Sequence, residues 1–116
     1  MRLPKIELAF VDERKVRDYL LAISHPDGRG KARFFKSLGF QQNQALELKN
    51  ALLGHAASNE VTSVMETQFG SKYVIEGSLA APYGQFVQIR AIWFQERGAA
   101  APRFVTAYPL KGMRTP

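Results

Sequence analysis

Two residues suited to proton transfer and charge stabilisation, His25 and Lys31, lie six positions apart in the stretch SHPDGRGKARFFKS. A histidine can accept or donate a proton near neutral pH, because its pKa lies close to that pH. A nearby cation can stabilise the additional negative charge of a pentavalent phosphorus transition state without a metal ion. These residue types suit metal-independent cleavage of RNA through its own 2′-hydroxyl group.

Other reaction classes have no sequence support. The chain lacks a paired-carboxylate cluster, an HExxH motif, a phosphate-binding P-loop and a GxSxG nucleophile elbow. It contains no cysteine, which excludes disulfides and thiolate zinc sites. We therefore expect no metal and no cofactor.

The segment after His25 predicts a short helix, from about Gly30 to Leu38, with Gly39 as the left-handed residue that ends it. At 100° per residue, one side of this helix is basic and the opposite side is apolar. The basic stripe consists of Arg29, Arg33 and Lys36, and the apolar stripe of Phe34, Phe35 and Leu38. A solvated face is the favoured interpretation of the basic stripe, and attraction of an RNA backbone is the alternative.

Lys31 falls within the apolar stripe, where a charge is unexpected. A lysine in the first helical turn also opposes the helix macrodipole. Both features would be explained if Lys31 and the free N–H groups of this turn bound a phosphate. The alternative is that its apolar stem packs while the ammonium group reaches water.

Two other helices are predicted in the first half of the chain. Asp12 is a suitable N-cap for a helix that ends at Ser24, since the residue before Pro26 is disfavoured in the α region. A further helix is predicted from about Asn43 to Gly54. His25 and His55 would then each follow a helix C-terminus, and only His25 has a basic cluster beside it.

From residue 60 the pattern alternates with a period of two, which predicts strands at about 61–67, 72–81, 85–95 and 103–110. The turn PYG, with positive φ at Gly84, sets the register of the second and third strands. That register places Glu76 opposite Arg90 and Tyr73 opposite Trp93. Any shift by one residue would oppose charged and apolar side chains.

The last strand, PRFVTAYP, supplies two further candidate residues. Strict alternation places Phe104, Thr106 and Tyr108 on one face, with Val105 and Ala107 on the other. Thr106 and Tyr108 can share a polar face with Arg90, which is either a surface partner of Glu76 or a phosphate ligand. The fold class expected is α+β, three N-terminal helices packed on a four-stranded antiparallel sheet, in a single domain spanning residues 1–116.

The net charge of +6 and the pI near 9.9 favour a polyanionic partner. Glu7, Asp12 and Glu13 interrupt the N-terminal region, so no apolar run is long enough for a signal peptide or a membrane span. We expect a cytoplasmic protein with no membrane partner.

The elements H-P-x-G-x-x-K-A at residues 25–32 and T-x-Y-P at 106–109 resemble a family of short bacterial proteins catalogued as a domain of unknown function. The resemblance covers nearly the whole chain. Members of that family are often encoded beside a smaller protein, which implies a toxin with a cognate antitoxin or immunity protein. More distantly, helices before a four-stranded sheet resemble the superfamily that unites barnase, EndoU, colicin D-type tRNases and RelE.

By position, this resemblance implies that His25 and Lys31 form the helical contribution to a site. Thr106 and Tyr108 match its terminal-strand contribution, and Arg90 matches only loosely. The leading hypothesis is a metal-independent ribonuclease toxin that cleaves RNA, including tRNA, with no DNA specificity. His25 would be the general acid or base, Lys31 and Arg90 would stabilise the transition state, and Thr106 with Tyr108 would position a phosphate or stack a base.

Two alternatives from other classes remain open on the sequence. One is a non-catalytic domain that binds RNA or a protein partner. The other is an immunity-like module whose sheet edge docks a partner.

Overall fold

The computed structural model describes residues 1–22 and 29–110, apart from the side chain of Arg29. Its helices precede its strands, which confirms the predicted α+β class. The helical elements are α1 (Glu13–Lys15), continued by a π-helix (Val16–Leu20), α2 (Arg29–Ser37) and α3 (Ala45–Ser58), with 3-10 turns at Ile6–Leu8 and Gln42–Gln44. The strands are β1 (Val61–Thr67), β2 (Gly70–Ala80), β3 (Phe86–Glu96) and β4 (Arg103–Pro109), in the spatial order β1-β2-β3-β4 and all antiparallel.

The first helix begins as predicted and then changes type. Asp12 is its N-cap, since its Oδ1 accepts a hydrogen bond of 2.9 Å from the Arg14 N–H. The predicted α-helix to Ser24 is wrong, because the chain continues as a π-helix in which the Leu21 N–H donates to the Val16 carbonyl. Residues 23 and 24 lie outside the described residues. Val16, Leu20 and Leu21 are fully buried against the core.

The second helix matches its prediction closely. Gly39 follows it with φ +105°, which confirms the left-handed position expected after Leu38. The buried side of the helix carries Ala32, Phe35 and Leu38. Phe34 is only partly buried, at the border of that side.

The third helix does not end at Gly54 as predicted. It continues to Ser58, because its apolar side packs on the sheet and outweighs the helix penalty of one exposed glycine. His55 is therefore within the last turn of the helix, not after it, and only 2% exposed. Its Nε2 lies 3.2 Å from the Gly77 carbonyl oxygen of β2.

The register predicted for β2 and β3 is confirmed, with Gly84 at φ +89° in the turn. Glu76 pairs with Arg90, and Tyr73 with Trp93. One face of this pair is buried under the helices, as predicted. Its fully buried members are Ile75, Leu79, Ile89, Ala91 and Trp93.

The strict alternation predicted for the last strand is wrong. Thr106 pairs with Ile92, but Phe104 pairs with Trp93, so Val105 is an extra residue in a β-bulge. The bulge places Phe104 in the core, where its ring centroid lies 5.5 Å from that of Trp93. Ala107 is also buried, and Thr106 and Tyr108 share the opposite face of the strand.

Burial of His55 predicts a dependence of stability on acid. Burial lowers the pKa of His55 below its ordinary value of 6.5, and the Gly77 carbonyl opposes this only partly. The unfolded chain therefore binds a proton at His55 before the folded chain does. Stability is fully present above pH 6.5 and is lost as the pH falls below it, by at most about 1.4 kcal/mol per pH unit. Denaturant unfolding at several pH values should show this loss, and His55→Gln should reduce it; an equal loss in the variant would contradict the assignment.

Candidate functional site

Tyr19, on the π-helix, is the centre of a small cationic cluster. The Lys31 ammonium group donates a hydrogen bond of 2.7 Å to the Tyr19 hydroxyl and lies 5.1 Å from the ring centroid. The Lys15 ammonium group lies 5.9 Å from the same ring centroid. Two lysines thus flank one phenol, and Lys31 is partly buried rather than extended into water.

The β4 bulge approaches this cluster from the sheet. Lys15 donates a hydrogen bond of 2.8 Å to the carbonyl oxygen of Val105, the extra residue of the bulge. The hydroxyl oxygen of the adjacent Thr106 is buried at this junction. The helical half and the last strand therefore meet beside Tyr19.

The pKa of Tyr19 is lowered from its ordinary value of 10.0. The hydrogen bond from Lys31 is the largest cause, burial opposes it, and the Thr106 hydroxyl and the charges of Lys31 and Lys15 lower it further. A phenol in this setting loses its proton more readily than an ordinary tyrosine. It can therefore serve as a proton acceptor or donor closer to neutral pH.

Arg90 and Tyr108 form a second group on the open face of the sheet. The Arg90 Nε lies 2.6 Å from the Glu76 Oε2, and its guanidinium carbon lies 5.7 Å from the Tyr108 ring centroid. Tyr108 and then Glu76 raise the pKa of Arg90. The ion pair with Glu76, one of the two arrangements considered for Arg90, is therefore formed.

The residues of this second group line a shallow groove of about 390 Å³. It is lined by Thr62, Ser63, Lys72, Val74, Glu76, Arg90, Ile92 and Tyr108. Thr106 and Tyr108 are two positions apart on one face of β4, about 7 Å along the strand. β4 thus contributes Thr106 to the Tyr19 cluster and Tyr108 to the Arg90 group.

The remaining candidate residues are His25 and the three basic residues of α2. His25 lies outside the described residues, in the sequence between the π-helix that carries Tyr19 and the helix that carries Lys31. Arg29 begins α2, and nothing further is described for its side chain. Arg33 is exposed, whereas Lys36 is partly buried and lines a different groove.

Tyr19 was not among the site residues predicted from the sequence. Two signals pointed to it: Lys15 lies four residues before it, and Lys31 stood in an apolar stripe without a partner. The partner that explains Tyr19 is twelve residues away in the sequence.

Within residues 1–22 and 29–110, no group of three or more histidine, aspartate or glutamate side chains is arranged to hold a metal ion. In the same part of the chain, no helix is both long enough and apolar enough to cross a membrane.

Comparison with known proteins gives one family and a related fold. The family model described as "Domain of unknown function (DUF6883)" matches residues 2–111. No curated protein sequence matches the chain. A chain of the contact-dependent growth inhibition toxin–immunity protein complex from Klebsiella pneumoniae 342 has a similar fold, with a TM-score of 0.68 and 21% identity, over 92% of this chain and 97% of that one.

Proposed function

This chain belongs to the DUF6883 family, and we propose that it is a small, metal-independent ribonuclease toxin of a toxin–antitoxin or toxin–immunity pair. One observation carries the proposal: a lysine of the helical half and a threonine of the last strand meet at a phenol whose pKa is lowered. The fold shared with a chain of a toxin–immunity complex supports the toxin class. The net charge of +6 supports an RNA substrate.

The proposed reaction is a transesterification within the RNA. The 2′-oxygen attacks the adjacent phosphorus, and the bond from phosphorus to the 5′-oxygen breaks. A base removes the proton of the 2′-hydroxyl, and an acid gives a proton to the departing 5′-oxygen. The products are a 2′,3′-cyclic phosphate and a 5′-hydroxyl, with no metal and no added reactant.

Tyr19 and His25 are proposed as the acid–base pair of this reaction. Tyr19 suits proton transfer because its pKa is lowered by Lys31 and Thr106. His25 supplies an imidazole, the side-chain type that exchanges protons near neutral pH, and lies between Tyr19 and Lys31 in the sequence.

The charge that develops on the phosphate requires fixed donors. Lys31 supplies a cation held at 2.7 Å from the Tyr19 hydroxyl, and Lys15 adds a second positive charge nearby. Thr106, which lowers the pKa of Tyr19, would help to position that phenol against the phosphate. On the open face of the sheet, Arg90 would bind a neighbouring phosphate, and Tyr108 would stack a base.

The proposed substrate is structured RNA such as tRNA, in the bacterial cytoplasm. A small cognate antitoxin or immunity protein is the proposed partner. It would protect the cell that makes the toxin by covering this cationic site.

Inducible expression in bacteria tests the toxin proposal. We expect the wild-type chain to stop growth and to fragment cellular RNA, and we expect Tyr19→Phe to restore growth, because the variant lacks only the titrating hydroxyl. Tyr73→Phe removes a tyrosine hydroxyl from β2, outside the cluster, and should remain toxic. Normal growth with intact RNA on expression of soluble wild-type protein would contradict the proposal and favour a non-catalytic RNA-binding or immunity-like domain.

A further inference from the structure

A second groove, of about 740 Å³, opens on the helical half of the molecule. It lies between the end of α2, the segment that leads into α3, and the β2–β3 turn. It is lined by Arg17, Lys36, Gly39, Phe40, Gln41, Gln42, Asn43 and Tyr83. Its volume is within the range of sites that hold small organic ligands.

This groove is distinct from the Tyr19 cluster. Arg17 precedes Tyr19 by two positions on the same helical turn. Side chains two positions apart on a helix do not face each other, so the groove and the cluster lie on different sides of that turn. A ligand of this groove would therefore not occupy the Tyr19 cluster.

Tyr83 provides an exposed aromatic surface that is held in place. Its side chain is 73% exposed at the tip of the β2–β3 turn. A Cβ added to Gly39 would lie only 3.0 to 3.1 Å from carbons of the Tyr83 ring, so the ring packs directly on the Gly39 backbone. An aromatic ring that is both supported and exposed is the arrangement that stacks an unpaired nucleic-acid base.

The charge of the groove complements a phosphate. Its lining contains two cationic side chains, Arg17 and Lys36, and no carboxylate. Asp18, which is not part of the lining, forms an exposed ion pair with the Arg17 Nε at 3.1 Å. The groove therefore offers positive charge beside the ring of Tyr83.

Amide side chains supply the remaining polar surface. Gln42 donates a hydrogen bond of 2.9 Å to the Arg17 carbonyl, which joins the α3 side of the groove to the π-helix. Gln41 and Asn43 are exposed on either side of it. Amide groups both donate and accept, as the edges of nucleobases do.

We infer that this groove binds one unpaired nucleotide of an RNA strand, with the base on Tyr83 and the phosphate between Arg17 and Lys36. The inference rests on the proposed function for its RNA strand. It adds a subsite, separate from the proposed reacting group, that recognises an unpaired nucleotide elsewhere on the same strand. The groove would then select RNA that has an unpaired nucleotide in addition to the cleaved bond.

Binding of a short, mixed-sequence 2′-O-methyl oligoribonucleotide tests this inference separately from cleavage. This probe has no free 2′-hydroxyl and cannot be cut by the proposed reaction. We expect Tyr83→Ala to weaken its binding about tenfold, as for the loss of one stacked base. Arg17→Gln and Lys36→Gln should each weaken binding and reduce the salt dependence of the affinity.

Two control variants accompany these. Phe86→Ala removes an aromatic side chain that is 71% exposed near the same turn but outside the groove lining. Arg97→Gln removes one charge from the β3–β4 loop. Neither should weaken binding as much as Tyr83→Ala or Lys36→Gln.

The outcomes separate the two proposals. Wild-type affinity in Tyr83→Ala, an equal loss in Phe86→Ala, or no binding by the wild-type chain would overturn the inference. If Tyr83→Ala binds the oligonucleotide as the wild type does and fails only to bind its cognate protein partner, the groove is a protein interface and the inference is wrong. If the wild-type chain cuts no RNA but binds the oligonucleotide in a way that depends on Tyr83, the groove inference is supported and the ribonuclease proposal is overturned.

Discussion

Lys31→Met is expected to lower the rate of RNA cleavage about a hundredfold or more while leaving the fold intact. Methionine retains an unbranched apolar stem, which suits the apolar side of α2, and removes only the ammonium group. That group holds the Tyr19 hydroxyl at 2.7 Å and is the proposed donor to the phosphate. Loss of one fixed donor to a developing negative charge costs about 100-fold to 1,000-fold in rate.

The pH profile separates this role from a purely structural one. Lys31 is the largest cause of the lowered pKa of Tyr19, so its removal should return that pKa toward 10.0. The limb of the rate profile that reports Tyr19 should then move to higher pH. A structural defect would lower the rate without moving that limb.

Arg97→Gln is the matched control, since it removes one positive charge from an exposed loop away from Tyr19. Cleavage rates and thermal unfolding should be measured for both variants beside the wild type. If Lys31→Met cuts RNA at nearly the wild-type rate, or if Arg97→Gln is equally impaired, Lys31 does not have the proposed role.

Gly70→Ala should have the largest effect on stability of any alanine substitution at a glycine of the sheet. Gly70 pairs with Glu96 at the end of the β2–β3 ladder and has φ +150°. A Cβ there would overlap the Gln95 carbonyl oxygen and lie 2.8 Å from the Glu96 Cα. Backbone atoms cannot rotate away as a side chain can, so we expect a loss of about 2–4 kcal/mol in the free energy of unfolding.

Gly98→Ala isolates the effect of that overlap. Gly98 also has a positive φ, +84°, but an added Cβ would meet nothing within 4 Å. It should lose only about 1–2 kcal/mol, the cost of the left-handed conformation. Denaturant unfolding of both variants gives the comparison, and an equal loss in the two would show that the overlap is relieved at no cost.

Much of the sheet was predictable because its signals are local. The PYG turn determines the β2–β3 register, and with it the pairing of Glu76 with Arg90. The β-bulge at Val105 was not predictable, because a short alternating sequence does not show where an unpaired extra residue will be inserted. Strict alternation consequently placed Phe104 on the wrong face.

In the helical half, too, local sequence signals did not predict features that depend on tertiary packing. Local propensity ended the third helix at Gly54, but packing on the sheet carries it to Ser58 and buries His55. The π-helix likewise has no signature in its sequence. Lys31 was identified as anomalous by its helical phase, yet its partner Tyr19 required the three-dimensional arrangement.

Cleavage of a defined RNA by the purified chain, in excess EDTA, is the most direct test of the proposed function. The proposed reaction requires full activity without divalent metal, and products with 2′,3′-cyclic phosphate and 5′-hydroxyl ends. Cleavage that depends on a metal ion or leaves 5′-phosphate ends would contradict the proposal, as would no cleavage by protein shown to be folded.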